Sequence, residues 1–175
     1  MIVRPAEPSE LAAVGRLTVN AYRADGYLDG VGDYSDELAD AASRAELATL
    51  LVAVDERSGQ VLGTVTFCLA GRPYAEVSRP GEAEFRMLAV APEARGRGVG
   101  AALAQACLDL AREARSSAVA LCSLEAMRPA HRIYERMGFR RAPERDWKPD
   151  EDVTLIAFLL PLEGGEAQPP REPGA

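Results

Sequence analysis

The sequence predicts a single α/β domain: a central mixed, mostly antiparallel, twisted sheet of about seven strands with flanking helices. Three observations carry this. At 175 residues the chain is long enough for one well-buried core and short for two. Residues 50–54 and 61–69 are β-rich runs joined by the turn Arg57-Ser58-Gly59-Gln60, the pattern of a hairpin. Residues 84–91, 98–115 and 118–124 then read as strand, helix and strand, a crossover that adds parallel pairing to the sheet.

Taken in order, residues 2–4 are a short strand candidate, and Pro8-Ser9-Glu10 offers an N-cap before an apolar-periodic helix reaching about Tyr22. Residues 23–36, rich in Gly, Asp and Tyr, keep no period and read as loop or broken helix. Helical character resumes over 35–47. After the hairpin, two prolines and a glycine within 72–81 make a loop leading to the strand at 84–91. Pro92 ends that ladder because it lacks an N–H. Val99, Leu103, Ala106, Cys107, Leu110, Ala111 and Ala114 then recur at helical spacing. Residues 118–124 are an apolar strand, and 128–137 a short helix closed by Gly138 as a left-handed cap. A final strand runs over 153–162. The domain therefore spans residues 1–162, and 163–175, ending in a Gly-, Glu- and Pro-rich stretch, form a tail whose composition cannot support a core.

Hydrophobic residues make up 47% of the chain and charged residues 27%, ordinary for a soluble domain. No apolar run approaches the roughly 20 residues of a membrane span, and the opening Met1-Ile2-Val3-Arg4-Pro5 has no signal-peptide core, so a cytoplasmic protein without membrane partners is expected. Cys68, Cys107 and Cys122 are odd in number and sit in apolar segments, which suits core residues rather than disulfides or metal ligands. The net charge of -7 argues against nucleic-acid binding. The charge is polarised: residues 1–57 hold eleven acids and five arginines, whereas 95–145 hold ten arginines and five acids. The second half is suited to a polyanion and the first to a cation, although an unevenly solvated surface explains the counts equally well.

Arg95-Gly96-Arg97-Gly98-Val99-Gly100 lies between the strand and the helix. Three glycines in five residues let backbone N–H groups converge where the helix presents its positive dipole end, which makes an anion site. A Walker loop is excluded because it needs a lysine after the last glycine and Lys148 is the only lysine. A dinucleotide fingerprint fits Gly96-Arg97-Gly98-Val99-Gly100-Ala101, with Glu125 after the next strand. That fingerprint places its first glycine directly after the strand, whereas residues 91–95 intervene here.

Arg95-x-x-Gly98-x-Gly100 following Met87-Leu88-Ala89-Val90-Ala91-Pro92, together with Ala130-His131-Arg132-Ile133-Tyr134-Glu135-Arg136-Met137-Gly138-Phe139, resembles the two central motifs of the GNAT superfamily of acetyl-CoA-dependent N-acetyltransferases, over residues 2–162. The resemblance implies a GNAT-type sheet splayed between its fourth and fifth strands, with acetyl-CoA as co-substrate and no metal. Backbone groups of Leu88, Ala89 and Val90 would pair with the pantetheine arm, and the amides of Arg95, Gly96, Arg97, Gly98, Val99, Gly100 and Ala101 would take the pyrophosphate. Ala130 and Tyr134 would face the cofactor from the later helix. Met127 stands where many members carry a pantetheine-contacting asparagine, so that contact is expected to differ or to give way to packing.

Acetyl transfer needs a neutral amine and a proton for the leaving thiolate. By the resemblance Tyr134 is the general acid, its alternative being a tyrosine packed against the sheet. Glu84 is the first candidate base and Glu82 the second, with direct loss of the proton to solvent left open. Arg86, charged within an apolar strand, faces either a polar cleft or solvent. His131, the only histidine, falls at a variable position of its motif and is expected to be a surface or capping residue. Tyr22, Tyr27 and Tyr34 alternating with Asp25, Asp29, Asp33 and Asp36 suit a cationic amine acceptor, with Trp147 as the opposite wall. The resemblance implies an enzyme acting on a small-molecule or protein amine. A coenzyme A-binding sensor of the same fold stays open as the alternative, as does a homodimer.

Overall fold

The computed structural model describes residues 1–28, 34–150 and 153–163. Asp29, Asp33 and the tail after Glu163 lie outside the described residues. β1 (Ile2–Pro5) leads through a one-turn 3-10 helix to α1 (Leu11–Ala24), α2 (Tyr34–Ala39) and α3 (Ala41–Leu47). β2 (Thr49–Val54), β3 (Val61–Leu69) and β4 (Ala83–Val90) follow, then α4 (Val99–Glu113), β5 (Ala118–Leu124) and α5 (Arg128–Arg136). The chain closes with β6 (Arg140–Arg141), β7 (Trp147–Asp150) and β8 (Val153–Pro161).

These strands form one eight-stranded sheet in the order β1-β2-β3-β4-β5-β8-β6, with β7 paired to β8. Every pairing is antiparallel except β4 with β5. The eighth strand, beyond the seven expected, comes from segments too short or too polar to read as strands. Arg140–Arg141 is held only by β8, and Trp147–Asp150, which looks like a loop from its Pro149, pairs irregularly with β8. Expected helix 35–47 is two helices. Asp40 breaks it, and its carboxylate accepts from the Ser43 N–H at 3.0 Å and the Ser43 hydroxyl at 2.6 Å, capping α3.

Alternation along β2 sorts the two faces of the sheet. Leu50, Val52 and Val54 pack with Val14 of α1 and Ala41 of α3. Leu51 and Ala53 join the larger core with Leu103, Cys107, Leu108 and Ala111 of α4. Helices on both faces explain why β2 is apolar almost throughout. Cys68 and Cys107 are buried as expected, and Cys122 is only half-buried.

Two irregularities in β4 open the sheet. Thr64 faces Ala89 and Thr66 faces Arg86, so Met87 and Leu88 together oppose Val65. Met87 takes a φ of +52°, the extra residue of a β-bulge. On its other side β4 pairs with β5 only through Ala83 with Val119 and Glu84 with Ala120. β5 instead pairs along its whole length with β8. From Phe85 onward β4 diverges from β5, which is the splay implied by the resemblance.

Candidate active site

The divergence leaves a groove of about 450 Å³. Leu88, Ala89 and Val90 form one wall, the glycine loop closes one end, and Pro129, Ala130, Ile133 and Arg136 of α5 stand opposite. The backbone of β4 here has no neighbouring strand on the β5 side, so its hydrogen-bonding groups are free for an extended ligand. Gly96 and Gly98 adopt φ values of +74° and +79°, a conformation that favours glycine. Gly98 is the residue before α4, so the first N–H groups of that helix lie unpaired at the groove. A Cβ on Gly100 would sit 3.2 Å from Ile133 Cδ1, so a side chain there would press on α5 at the groove.

The residues expected to hold a cofactor mostly converge here: Leu88, Ala89, Val90, Arg95, Gly96, Gly98, Val99, Gly100, Ala101, Met127 and Ala130 line the groove. Arg97 does not, and it pairs with Asp55 at 3.0 Å on the outer side of the loop. Arg95 is clasped by Asp25, with Nη1 and Nη2 at 2.8 and 2.9 Å from the two carboxylate oxygens. Sequence reasoning missed Ala21 and assigned Tyr22 and Asp25 to the acceptor alone; tertiary packing of α1 brings all three to this groove. Pro129, Ile133 and Arg136 could have been found, since with Ala130 they fall on one face at helical spacing.

A second cavity of about 400 Å³ adjoins the first on the α1–α2 face of the sheet, and Tyr22, Tyr27 and Met127 line both. Met127 therefore stands at the junction. Tyr34, Glu37, Glu76, Glu84, Arg86 and Trp147 line the second cavity, with Leu124, Val153 and Leu155 supplying apolar wall. Cys122 also lines it, its thiol pushed up to about 12 by burial, so it stays a neutral, poorly nucleophilic group.

Glu84 is 1% exposed. Its Oε2 accepts the N–H groups of Glu76, Val77 and Ser78 at 3.0, 2.9 and 2.9 Å. Three consecutive donors on one oxygen tie the 72–81 loop to β4, and Oε1 makes none of these contacts. Glu82 is taken up structurally: it forms a two-pronged pair with Arg145 at 2.6 and 2.9 Å and accepts the Arg79 N–H at 2.8 Å. Burial raises its pKa, yet the Arg145 and Arg79 contacts outweigh burial and hold its carboxyl below the usual range. Arg86 faces the cavity. Its Nη1 donates to the Tyr74 carbonyl at 3.4 Å and to Glu76 at 3.2 Å, and its guanidinium lies 5.6 Å from the Trp147 ring centroid. Burial disfavours its charge, and Tyr34 with Glu37, Glu76 and Glu84 more than restores it.

Tyr134 lines neither cavity. It is buried among Phe85, Phe139 and Phe158, with ring centroids at 5.8, 6.0 and 6.0 Å. It follows Ile133, a groove residue, on the same turn of α5. Burial pushes its phenol well above the ordinary range, so the group stays protonated. His131 departs from the surface position expected of it. It is buried, stacks on Phe158 at 5.1 Å, and places Nε2 3.1 Å from both the Ser123 hydroxyl and the Leu124 carbonyl. A variable motif position says nothing of burial, and here the residue points back at β5.

Among the described residues no helix is long and apolar enough to cross a membrane, and no three His, Cys, Asp or Glu gather as a metal site. A sheet splayed beside a bulged strand, running into a glycine loop ahead of a helix, defines an α/β protein of the acetyltransferase fold class. The chain matches the Acetyltransferase (GNAT) family over residues 17–139, and it belongs to that family. Among curated proteins it is 33% identical over 111 residues to the uncharacterized N-acetyltransferase C1271.07c of Schizosaccharomyces pombe, covering 63% of each chain. It is 35% identical over 116 residues to N-acetyltransferase 8 of Mus musculus, covering 62% of this chain and 48% of that one. The chain thus spans less than two thirds of these relatives. Among solved structures, a GCN5-related N-acetyltransferase of Kribbella flavida superposes with a TM-score of 0.64 at 26% identity, covering 92% of this chain and 97% of that one. The yncA protein of Salmonella typhimurium, solved with its cofactor acetyl-CoA, gives 0.66 at 21%, covering 96% and 97%.

Proposed function

We propose that the chain is an N-acetyltransferase that moves an acetyl group from acetyl-CoA to an amine held in the second cavity, both substrates being bound together. The observation that carries this is the run of β4 from Phe85 to Val90, without a partner strand on its β5 side, leading directly into the glycine loop. Acetyl-CoA fits that groove: its pantetheine can add to β4 as a strand would, and its diphosphate suits the N–H groups before α4 and the Arg95 guanidinium. The yncA protein of the same fold is described with that cofactor. When bound, acetyl-CoA supplies an activated acyl thioester.

The protein's own part is to position the amine, take its proton and return one to sulfur. Tyr134 is the proposed proton donor, because it is protonated at every working pH and lies one residue beyond the groove wall. Glu84 is the proposed acceptor of the amine proton through a cavity water, using Oε1 while Oε2 holds the loop. The tyrosines and Glu37 suit the cationic resting form of an amine. Incubating the protein with acetyl-CoA and a panel of amines while following thiol release tests the reading. Amine-dependent release is expected, and coenzyme A binding without release from any amine would overturn it.

A further inference from the structure

The structure assigns Arg86 as the anchor for a carboxylate on the acceptor, and we infer that the second cavity takes a small zwitterionic amine, an α-amino acid with an apolar side chain. This rests on the transfer reading above and adds the acceptor class to it.

Arg86 is the one basic side chain lining the cavity among the described residues. Its side chain is 11% exposed, and the acidic groups around it keep it charged at the cavity wall. Four arginines of this protein are held by two-pronged carboxylate pairs, Arg4 with Glu10, Arg95 with Asp25, Arg141 with Asp146 and Arg145 with Glu82, while the fully buried Arg44 is held by Thr18, Thr66 and the Leu38 carbonyl. Arg86 has no such two-pronged pair. Its ion pair with Glu76 is a single contact at 3.2 Å, and that bond and the one to the Tyr74 carbonyl both use Nη1. Glu84 commits its Oε2 to the backbone of the 72–81 loop and makes no ion pair with Arg86. With its guanidinium 5.6 Å from the Trp147 ring centroid, beside Tyr34, and Nη2 outside the bonds to Tyr74 and Glu76, the Arg86 fork can grip a planar carboxylate.

The rest of the cavity matches the remainder of such a molecule. Glu37 and the tyrosines suit the ammonium group, and Leu124, Val153 and Leu155 suit an apolar side chain. Arg86 is two residues before Leu88, the start of the groove wall, so the anchor and the groove share one stretch of β4. A volume of about 400 Å³ is that of a small-molecule site.

The test compares leucine and phenylalanine with their carboxamides, with isoamylamine, and with a tripeptide that begins with leucine. Thiol release from acetyl-CoA and calorimetric binding to the protein saturated with coenzyme A are measured for each. The free amino acids should exceed the carboxamides in kcat/KM and in affinity by about 10- to 100-fold, the worth of a charge-assisted hydrogen-bonded pair. The carboxamides have the less basic and hence more available amine, which makes the comparison stringent. Arg86→Gln should collapse the acid-to-amide ratio toward one, and Glu76→Gln, which removes the competing carboxylate, should tighten amino-acid binding. Carboxamides or the peptide reacting as well as the free acids overturns the carboxylate anchor while leaving the transfer reading intact. Amino acids that neither bind nor react also overturn it. Amino acids that bind selectively while no amine of the panel releases thiol uphold the anchor and overturn the transfer reading.

Discussion

Asp25, just past the end of α1, clasps Arg95 of the glycine loop with both carboxylate oxygens, at 2.8 and 2.9 Å, and Arg95 also reaches the Ala21 carbonyl at 3.4 Å. The pair sets a negative charge beside the place proposed for a diphosphate. Coulombic repulsion from Asp25 is then part of the cost of cofactor binding, and it is screened by salt.

Asp25→Asn should therefore tighten coenzyme A binding by about 2- to 5-fold at low ionic strength, the scale of one partly exposed charge. The gain should vanish at high salt. Arg95→Ala should weaken binding and flatten its salt dependence. Isothermal titration at two salt concentrations reads both, and weaker binding by Asp25→Asn at low salt would mean that the pair serves to hold the loop in shape.

Tyr134→Phe keeps the ring among Phe85, Phe139 and Phe158 and removes only the hydroxyl. A general acid is worth about 10²- to 10⁴-fold, so kcat should fall on that scale with much less change in coenzyme A affinity. Because burial raises the phenol pKa, Tyr134 keeps its proton in the folded state where an unfolded chain loses it. That stability is complete below about pH 10 and is lost as pH rises above it. The wild type should lose stability above about pH 10 more steeply than Tyr134→Phe, as read by urea denaturation. Unchanged kcat in the variant would remove the residue from the acid role.

Glu84 is asked both to hold a loop and to take a proton, and two substitutions separate these tasks. Glu84→Ala strips the acceptor from three N–H groups and should cost about 2–4 kcal/mol, given what hydrogen bonds to charged groups contribute. Glu84→Gln retains a carbonyl oxygen for the loop and should cost clearly less. If Glu84 also serves as base, kcat of the Gln variant should fall and its acid limb in the pH profile should shift. Full activity in Glu84→Gln would leave the residue a loop anchor alone.

The β2–β3 hairpin, the β4–α4 unit and α5 were legible because each rests on a local signal: apolar runs, the glycine triplet, and Gly138, found at a φ of +95°. Three features were not. The eighth strand is made by pairing to β8 rather than by its own residues. The excess of arginines over 95–145 reads as free positive charge, yet Arg95, Arg97 and Arg145 are matched by Asp25, Asp55 and Glu82 from far along the chain, and counting charges cannot see pairing. Glu84 reads as a possible base by its place in the strand, while its hold on a loop depends on where that loop folds back. Arg86 was legible as an anomaly, a charge in an apolar strand, but its exposure to a cavity rather than solvent is a property of the tertiary fold.

His131 is the only histidine of the chain, so it alone among side chains with ordinary pKa values titrates between pH 5 and 7. Its folded pKa is lowered, chiefly by burial, with the Leu124 carbonyl contact working the other way. The unfolded chain therefore takes up a proton below about pH 6.5 while the folded chain resists it. Stability is complete above that pH and is lost as pH falls through the folded pKa, at up to about 1.4 kcal/mol per pH unit. The carboxylates with lowered pKa values, Glu10, Asp40, Asp55, Glu82 and Asp146, contribute in the same direction but begin lower, near pH 4 to 5. Urea denaturation of the wild type should weaken between pH 7 and 5, and His131→Gln, which can still donate to the Leu124 carbonyl, should be flat there and rejoin the wild-type slope only below about pH 5. An equal slope in both proteins would place the titrating group elsewhere and would mean that the buried imidazole accepts its proton without cost.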